Sequence, residues 1–323
     1  MNSTLIFNKN CFYHHNKMVI YFLPEKNNTN IKNIEYSKIN NSSLMINTII
    51  FKDKYKKVNI FYVKIRGCFS SFNQKRITIT YIDNTQSKNI KLYFPFQYFT
   101  SRLPKNSIIV STMCKDYNNR LTEWIKYNLK LQFDAVIIFN NGGIEENDYI
   151  RKYSSKKYSK LLIVDYPYNP LKNCHWRTIQ GVSLCITSYV FKLYSKYIAL
   201  IDADEFIYIP KENNIKKFLS NYNYSIMIQS NLITNKSNKD SIHNNILSLC
   251  KYIGKDKYTK LLIHSNDINH HNAFIYTPHK GINFKSIKLN KNLIIHYHAW
   301  VNKRLNYYQN MKKINFLEDF LYK

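Results

Sequence analysis

Residues 195–206 read Ser-Lys-Tyr-Ile-Ala-Leu-Ile-Asp-Ala-Asp-Glu-Phe (SKYIALIDADEF), and this stretch decides the fold. Tyr197 to Ile201 form a short, continuous apolar run, the pattern of a strand covered on both faces. The run passes directly into Asp202, Ala203, Asp204 and Glu205. In an extended chain, residues two apart point to the same side, so both aspartates are expected to face one cation while Ala203 faces away. Ligands of open α/β sheets bind outside the carboxyl ends of the strands, which is where this acidic cluster is expected to lie. Hard carboxylate oxygens suit Mg²⁺ or Mn²⁺, which bridge a few carboxylates to substrate phosphates and stabilise charge on a departing diphosphate. Two aspartates two apart are a weak signal by themselves, and the alternative is a solvated acidic loop.

Working outward, the same grammar repeats. SIIVSTMC (107–114), FDAVIIFNN (133–141) and KLLIVDY (160–166) are further buried-strand runs. Between them NNRLTEWIKYNLKL (118–131) places Leu121, Trp124, Ile125 and Leu129 at helical spacing. TIQGVSLCITSYVFKLY (178–194) does the same with Ile179, Val182, Ile186, Tyr189, Val190 and Leu193. Alternation of strand and helix predicts an α/β domain with a mostly parallel sheet and helices on both faces. Past Ile209 the pattern is less regular.

Residues 1–103 differ in character. VNIFYVKIRGCF (58–69), KRITITYID (75–83) and NIKLYFPFQYF (89–99) alternate apolar and polar positions with many β-branched and aromatic residues, and Ile77, Ile79 and Tyr81 would share a face. The expected organisation is a small β-rich domain over 1–103 and an α/β domain over 104–323. Pro104 marks the boundary, because the residue before a proline disfavours helix.

Composition narrows the class. Hydrophobic residues at 45% and charged residues at 21% exclude a disordered or fibrous chain. A formal charge of +28 creates a positive field that attracts polyanions. The basic residues are spread along the chain with no arginine-rich arm, so the charge reads as composition, the Lys, Asn, Ile and Tyr usage of an AT-rich genome. No specific nucleic-acid partner is expected. The six cysteines show no CxxC and no zinc spacing, and read as reduced thiols. No apolar run reaches the roughly 20 residues of a transmembrane helix, and the opening lacks the pattern of a secretory signal, so the cytoplasm is the expected location. There is no GxGxxG, P-loop, GxSxG or HExxH.

The order MCKDYNNRLTEWIKYNLKLQFDAVIIFNN, then a helix with Gln180 and Cys185, then SKYIALIDADEFI, then IIHYH resembles glycosyltransferase family 92 and related enzymes, over residues from about 107 to 310. The resemblance implies a GT-A fold, Mn²⁺ or Mg²⁺ as cofactor, a nucleotide-sugar donor with a UDP-sugar first in line, and inverting transfer to a glycan or glycoprotein acceptor. It also implies that Lys115 and Asp116 line the nucleotide pocket. Glu123 with Trp124 match the first-helix block, and Asn140 with Asn141 the pair after the second strand. Asp202 and Asp204 match the metal-binding pair, Glu205 the acid that follows it, His296 a third metal ligand, and Lys260 a lysine that offsets phosphate charge. The family's Lys-Ser after the late His-Tyr block is replaced by Trp300 and Val301, and its Gly-Ser step in the acceptor loop by Asn235, Lys236 and Ser237.

Inverting transfer needs a general base for the acceptor hydroxyl. Asp240 lies where the acceptor loop is expected, with Asp267 as the other acid available. The plainer alternatives are a helix-capping Asp116, a first-turn Glu123 favoured by the helix dipole, polar strand positions at His296 and His298, and a surface lysine at 260. Two other classes compete with the transferase: a basic nucleic-acid-binding protein with stacking tyrosines, and a non-catalytic protein retaining the fold.

Overall fold

The computed structural model describes, as backbone, the strands between residues 11 and 93. Beyond them it describes residues 103–115, 118–143, 147–154, 160–165, 194–209, 213–234, 252–268, 286–297 and 312–313, with scattered positions from 180 to 192. The chain divides into two compact units, Met1–Arg102 with Asp165–Val190, and Leu103–Val164 with Phe191–Lys323.

The first unit carries two antiparallel sheets. One has the order β1 (Cys11–His14), β2 (Lys17–Phe22), β5 (Lys57–Arg66), β4 (Ser43–Lys52), and the other β3 (Ile31–Tyr36), β6 (Arg76–Asp83), β7 (Gln86–Tyr93). In the second of these Ile77, Ile79 and Tyr81 stand opposite Leu92, Ile90 and Lys88. Of the helix read over 178–194, residues 180–181, 183–184, 187–188 and 191 are helical, and the six apolar positions that define its face lie outside the described residues. The hydroxyls of Ser183, Thr187 and Ser188 donate to carbonyls three or four residues back, which satisfies them inside the helix.

The second unit is α/β, built on one mixed sheet. Its elements are β8 (Ser107–Cys114), α1 (Asn118–Lys130), β9 (Ala135–Asn140), α2 (Asp148–Ser154), β10 (Leu161–Asp165), β11 (Ser195–Leu200), β12 (Glu205–Ile207), α3 (Ile215–Ser220), β13 (Ser225–Thr234), β14 (Tyr252–His264), β15 (Ser286–Tyr297) and β16 (Lys312–Lys313). The strand order is β10-β9-β8-β11-β14-β13-β15-β12, with β16 on β14. β8 runs parallel to both β9 and β11, and β13 parallel to β15. β14 is antiparallel to β11 and β13, and β12 antiparallel to β15. The apolar runs become strands because both faces are covered: Ile109, Val110, Val136, Ile137, Ile138, Ile198 and Leu200 are all fully buried. Helix α1 presents Leu121, Trp124 and Ile125 to the core. Helix α3 starts where the Asn214 side chain accepts the amides of Lys216 and Lys217 at 2.9 and 3.2 Å.

Two topological features position the acidic stretch. Because β8 lies between β9 and β11, the winding of the chain reverses there, and the carboxyl ends of β8 and β11 form a topological switch point. β12 follows β11 after only Ile201 to Asp204, yet three strands stand between them in the sheet. Four flat strand spacings would be roughly 19 Å. The four-residue link instead closes a turn, with Glu205 N donating to Asp202 O at 3.0 Å. The sheet therefore curls, and β13 supplies the irregularity: its register shifts between Ile228 and Asn231 against both neighbours.

Candidate functional site at the carboxyl edge of the sheet

The parallel registers align the ends of three strands. Leu200 stands opposite Ser111, and Cys114 opposite Asn140, so Lys115, Asn140, Asn141 and Asp202 all emerge at one edge of the sheet. Lys115 is exposed there, while Asn140 and Asn141 are buried. The Asn140 side chain accepts the amide of Gly142 at 2.9 Å and Asn141 N donates to Cys114 O at 2.8 Å, so this pair shapes the loop leaving β9. Gly142 and Gly143, with φ of 119° and 85°, take backbone conformations that suit glycine.

The acidic stretch departs from the extended geometry expected of it. Asp202 to Glu205 form a turn closed by the Glu205 amide, so the two-residue alternation does not apply, and Asp204 stands at the turn's third position, half-buried. Asp202 is also partly accessible, its side chain 30% exposed. Glu205 points inward and is fully buried. Its Oε2 accepts the Asp202 amide at 2.9 Å and lies 2.8 Å from the Lys260 ammonium. Lys260 also pairs with Oδ2 of Asp202.

Register explains how Lys260 gets there. Leu261 of β14 is opposite Leu200 of β11, so the preceding residue lies beside the strand end where Asp202 begins. Lys260 is wholly buried, which excludes the surface-lysine alternative. Burial by itself pulls its ammonium towards neutrality, but Asp202 and then Glu205 outweigh that and hold its pKa above the ordinary lysine value.

Helix α1 clamps the strand that follows. Trp124 Nε1 donates to Glu205 O at 2.9 Å and the Tyr127 hydroxyl to Ile207 O at 2.7 Å. The Tyr127 ring meets Phe206 edge-on, with centroids 5.0 Å apart. Burial, then Tyr208, raises the Tyr127 pKa, so the phenol keeps its donated proton. Glu123 is buried on the same helix.

His296 stands opposite Glu205 in the β12–β15 register, which brings its backbone to the acidic stretch. Asp116, Asp240, His298, Trp300, Val301 and the acceptor-loop residues Asn235, Lys236 and Ser237 lie outside the described residues. Asp267 belongs elsewhere. Its Oδ2 accepts the amide and hydroxyl of Ser225 at 2.7 and 2.6 Å, in a short 3-10 turn beyond His264, which stands opposite Tyr197. That is the amino end of β11, about 17–20 Å of strand from its carboxyl end, so Asp267 and Asp202 lie at opposite ends of the strand.

Among the described residues no three His, Cys, Asp or Glu side chains gather as a metal-binding group, and no helix is long and apolar enough to cross a membrane. The contributions missed by sequence reasoning are the inward Glu205 and the hydroxyl and indole contacts of Tyr127 and Trp124. The apolar spacing of α1 marked its buried face but not its polar tips. No protein-family model matches the chain, and no curated protein matches it in sequence.

Proposed function

We propose that the chain is a metal-dependent glycosyltransferase with a GT-A-type α/β unit, moving a sugar from a nucleotide-diphosphate donor, a UDP-sugar first among them, to a glycan or glycoprotein acceptor. The observation that carries this reading is the acidic turn of Asp202 and Asp204 at the carboxyl end of β11, beside the switch point with β8. Strand order supports it: within this unit the chain winds one way through β8, β9 and β10, then returns to the other side of β8 with β11.

The donor set fits a hard divalent cation. Lys260, Glu205, Asp202 and Asp204 carry one positive and three negative formal charges, and the two partly accessible members are the aspartates. A cation such as Mn²⁺ or Mg²⁺ is commonly held by one or two carboxylates together with substrate phosphates, which needs no cage of three protein ligands. Asp202 and Asp204 would hold it, and when bound it supplies neutralisation of the charge that grows on the leaving diphosphate. Lys115, exposed at the same edge, adds positive potential along the approach of an anionic donor. Trp124 and Tyr127 keep the turn in place through β12. His296 is proposed as a further ligand, and Asp240 as the base that takes the acceptor's proton.

The test is a thermal-shift series with UDP-sugars, with and without Mn²⁺, on the native chain and on Asp204→Ala. A ligand that binds only the folded state raises its stability by about 2.7 kcal/mol at a hundred times Kd. Stabilisation is expected only when nucleotide and Mn²⁺ are both present, and only with Asp204 intact. Absence of any shift in the native chain, or an equal shift in the variant, would refute the proposal.

A further inference from the structure

We infer that Lys260 is a positioning residue of this site, its buried ammonium fixing the Asp202 carboxylate so that the acidic turn is assembled before any ligand arrives. The role rests on the turn being the diphosphate site.

The contacts form a closed ring. The Asp202 amide donates to Glu205 Oε2, the same oxygen lies 2.8 Å from the Lys260 ammonium, and that ammonium returns to Asp202 Oδ2. Asp202 is thereby held at both its backbone and its side chain. The Glu205 amide donates to Asp202 O, so the ring and the turn share their two end residues, and Asp204 is carried between them. Lys260 and Glu205 are fully buried whereas Asp202 is not, so the charged pair is set inside the protein with one carboxylate presented outward.

Charge separates a positioning role from a purely electrostatic one. Lys260 and Glu205 cancel, leaving the formal charge of the site to Asp202 and Asp204. The double variant Lys260→Met, Glu205→Gln keeps that sum unchanged and removes the buried pair together. The introduced amide oxygen still accepts the Asp202 N–H, so the turn retains its hydrogen bond while Asp202 loses its anchor. A lysine needed only to neutralise a buried glutamate would be dispensable in this background.

The experiment measures Mn²⁺ alone, then UDP with Mn²⁺, by titration calorimetry on the native chain and the double variant, with a thermal melt of each. The expected result is a folded double variant whose affinities are lower by about tenfold or more, the usual consequence of losing the group that orients a ligand side chain. Affinities equal to or tighter than the native chain's would overturn the role, tighter binding marking Lys260 as a competitor of the cation. A native chain that binds neither probe would instead overturn the diphosphate reading, and the role with it. Should the double variant fail to fold, Lys260→Arg decides: it keeps the charge and moves the donors, so an unchanged Mn²⁺ affinity would overturn the role.

Discussion

The indole of Trp124 donates to the main-chain oxygen of Glu205 at 2.9 Å, tying helix α1 to a residue 81 positions later at the end of the acidic turn. Trp124→Phe leaves a carbonyl without this donor and removes part of a fully buried ring. A loss of about 2–4 kcal/mol is expected from the orphaned acceptor and the cavity together. Equilibrium urea unfolding measures it, and on the proposed function the same variant should bind UDP with Mn²⁺ more weakly than the native chain.

Lys260→Met on its own strands the buried Glu205 carboxylate without its cation. Breaking a buried pair from one side costs about 3–5 kcal/mol. The single variant should therefore unfold at markedly lower denaturant than the double variant that also carries Glu205→Gln. Equal midpoints would show that leaving the Glu205 carboxylate without the ammonium carries no cost.

Asp204→Asn changes a half-buried residue at the tip of a turn. Stability is expected to stay within about 1 kcal/mol. On the proposed function, Mn²⁺-dependent nucleotide binding and sugar transfer should both be lost, as read by calorimetry and by release of UDP from the donor.

Acid should weaken the second unit through His264. Burial lowers its pKa below the ordinary value, outweighing the opposing pull of Asp267, and its Nδ1 accepts the Asn266 amide at 3.3 Å, which favours the neutral ring. A histidine with a depressed folded pKa adds stability above its unfolded value and loses it as pH falls through the folded one. Between about pH 7.5 and pH 5 the native chain should thus lose more stability than His264→Gln. Parallel slopes of the two unfolding midpoints against pH would contradict this.

Gly142→Ala isolates backbone strain. No atom lies within 4 Å of where the added Cβ would stand, yet φ is 119°. A cost of roughly 1–3 kcal/mol is expected from conformation alone, measurable by urea unfolding.

What was legible in the sequence was what depends on local pattern. Runs such as SIIVSTMC and AVIIFN announce doubly covered strands because no polar face is needed, and both became strands of the sheet. The α1 spacing announced a helix and its buried face. The acidic stretch was located correctly at the end of β11, but its conformation was not: alternation presumes an extended backbone, and Asp202 to Glu205 turn instead without glycine or proline to signal it. The resemblance singles out Lys260, but local pattern does not set it apart from the other basic residues, because its burial comes from pairing β14 against β11, with its partner Asp202 58 residues away. Asp267 looked available for the same reason. Only the strand register reveals that it sits at the wrong end of β11.

The contacts of α1 with β12 also bear on the edge of the sheet. Among the described residues β12 is the last strand of its sheet, and a terminal strand with bare outward carbonyls is a template for another chain. Glu205 O and Ile207 O, two residues apart, are occupied by the Trp124 indole and the Tyr127 hydroxyl. The segment that bears the acidic turn is thus sealed against strand addition by side chains of its own fold. Stripping both donors would leave that rim open to intermolecular pairing.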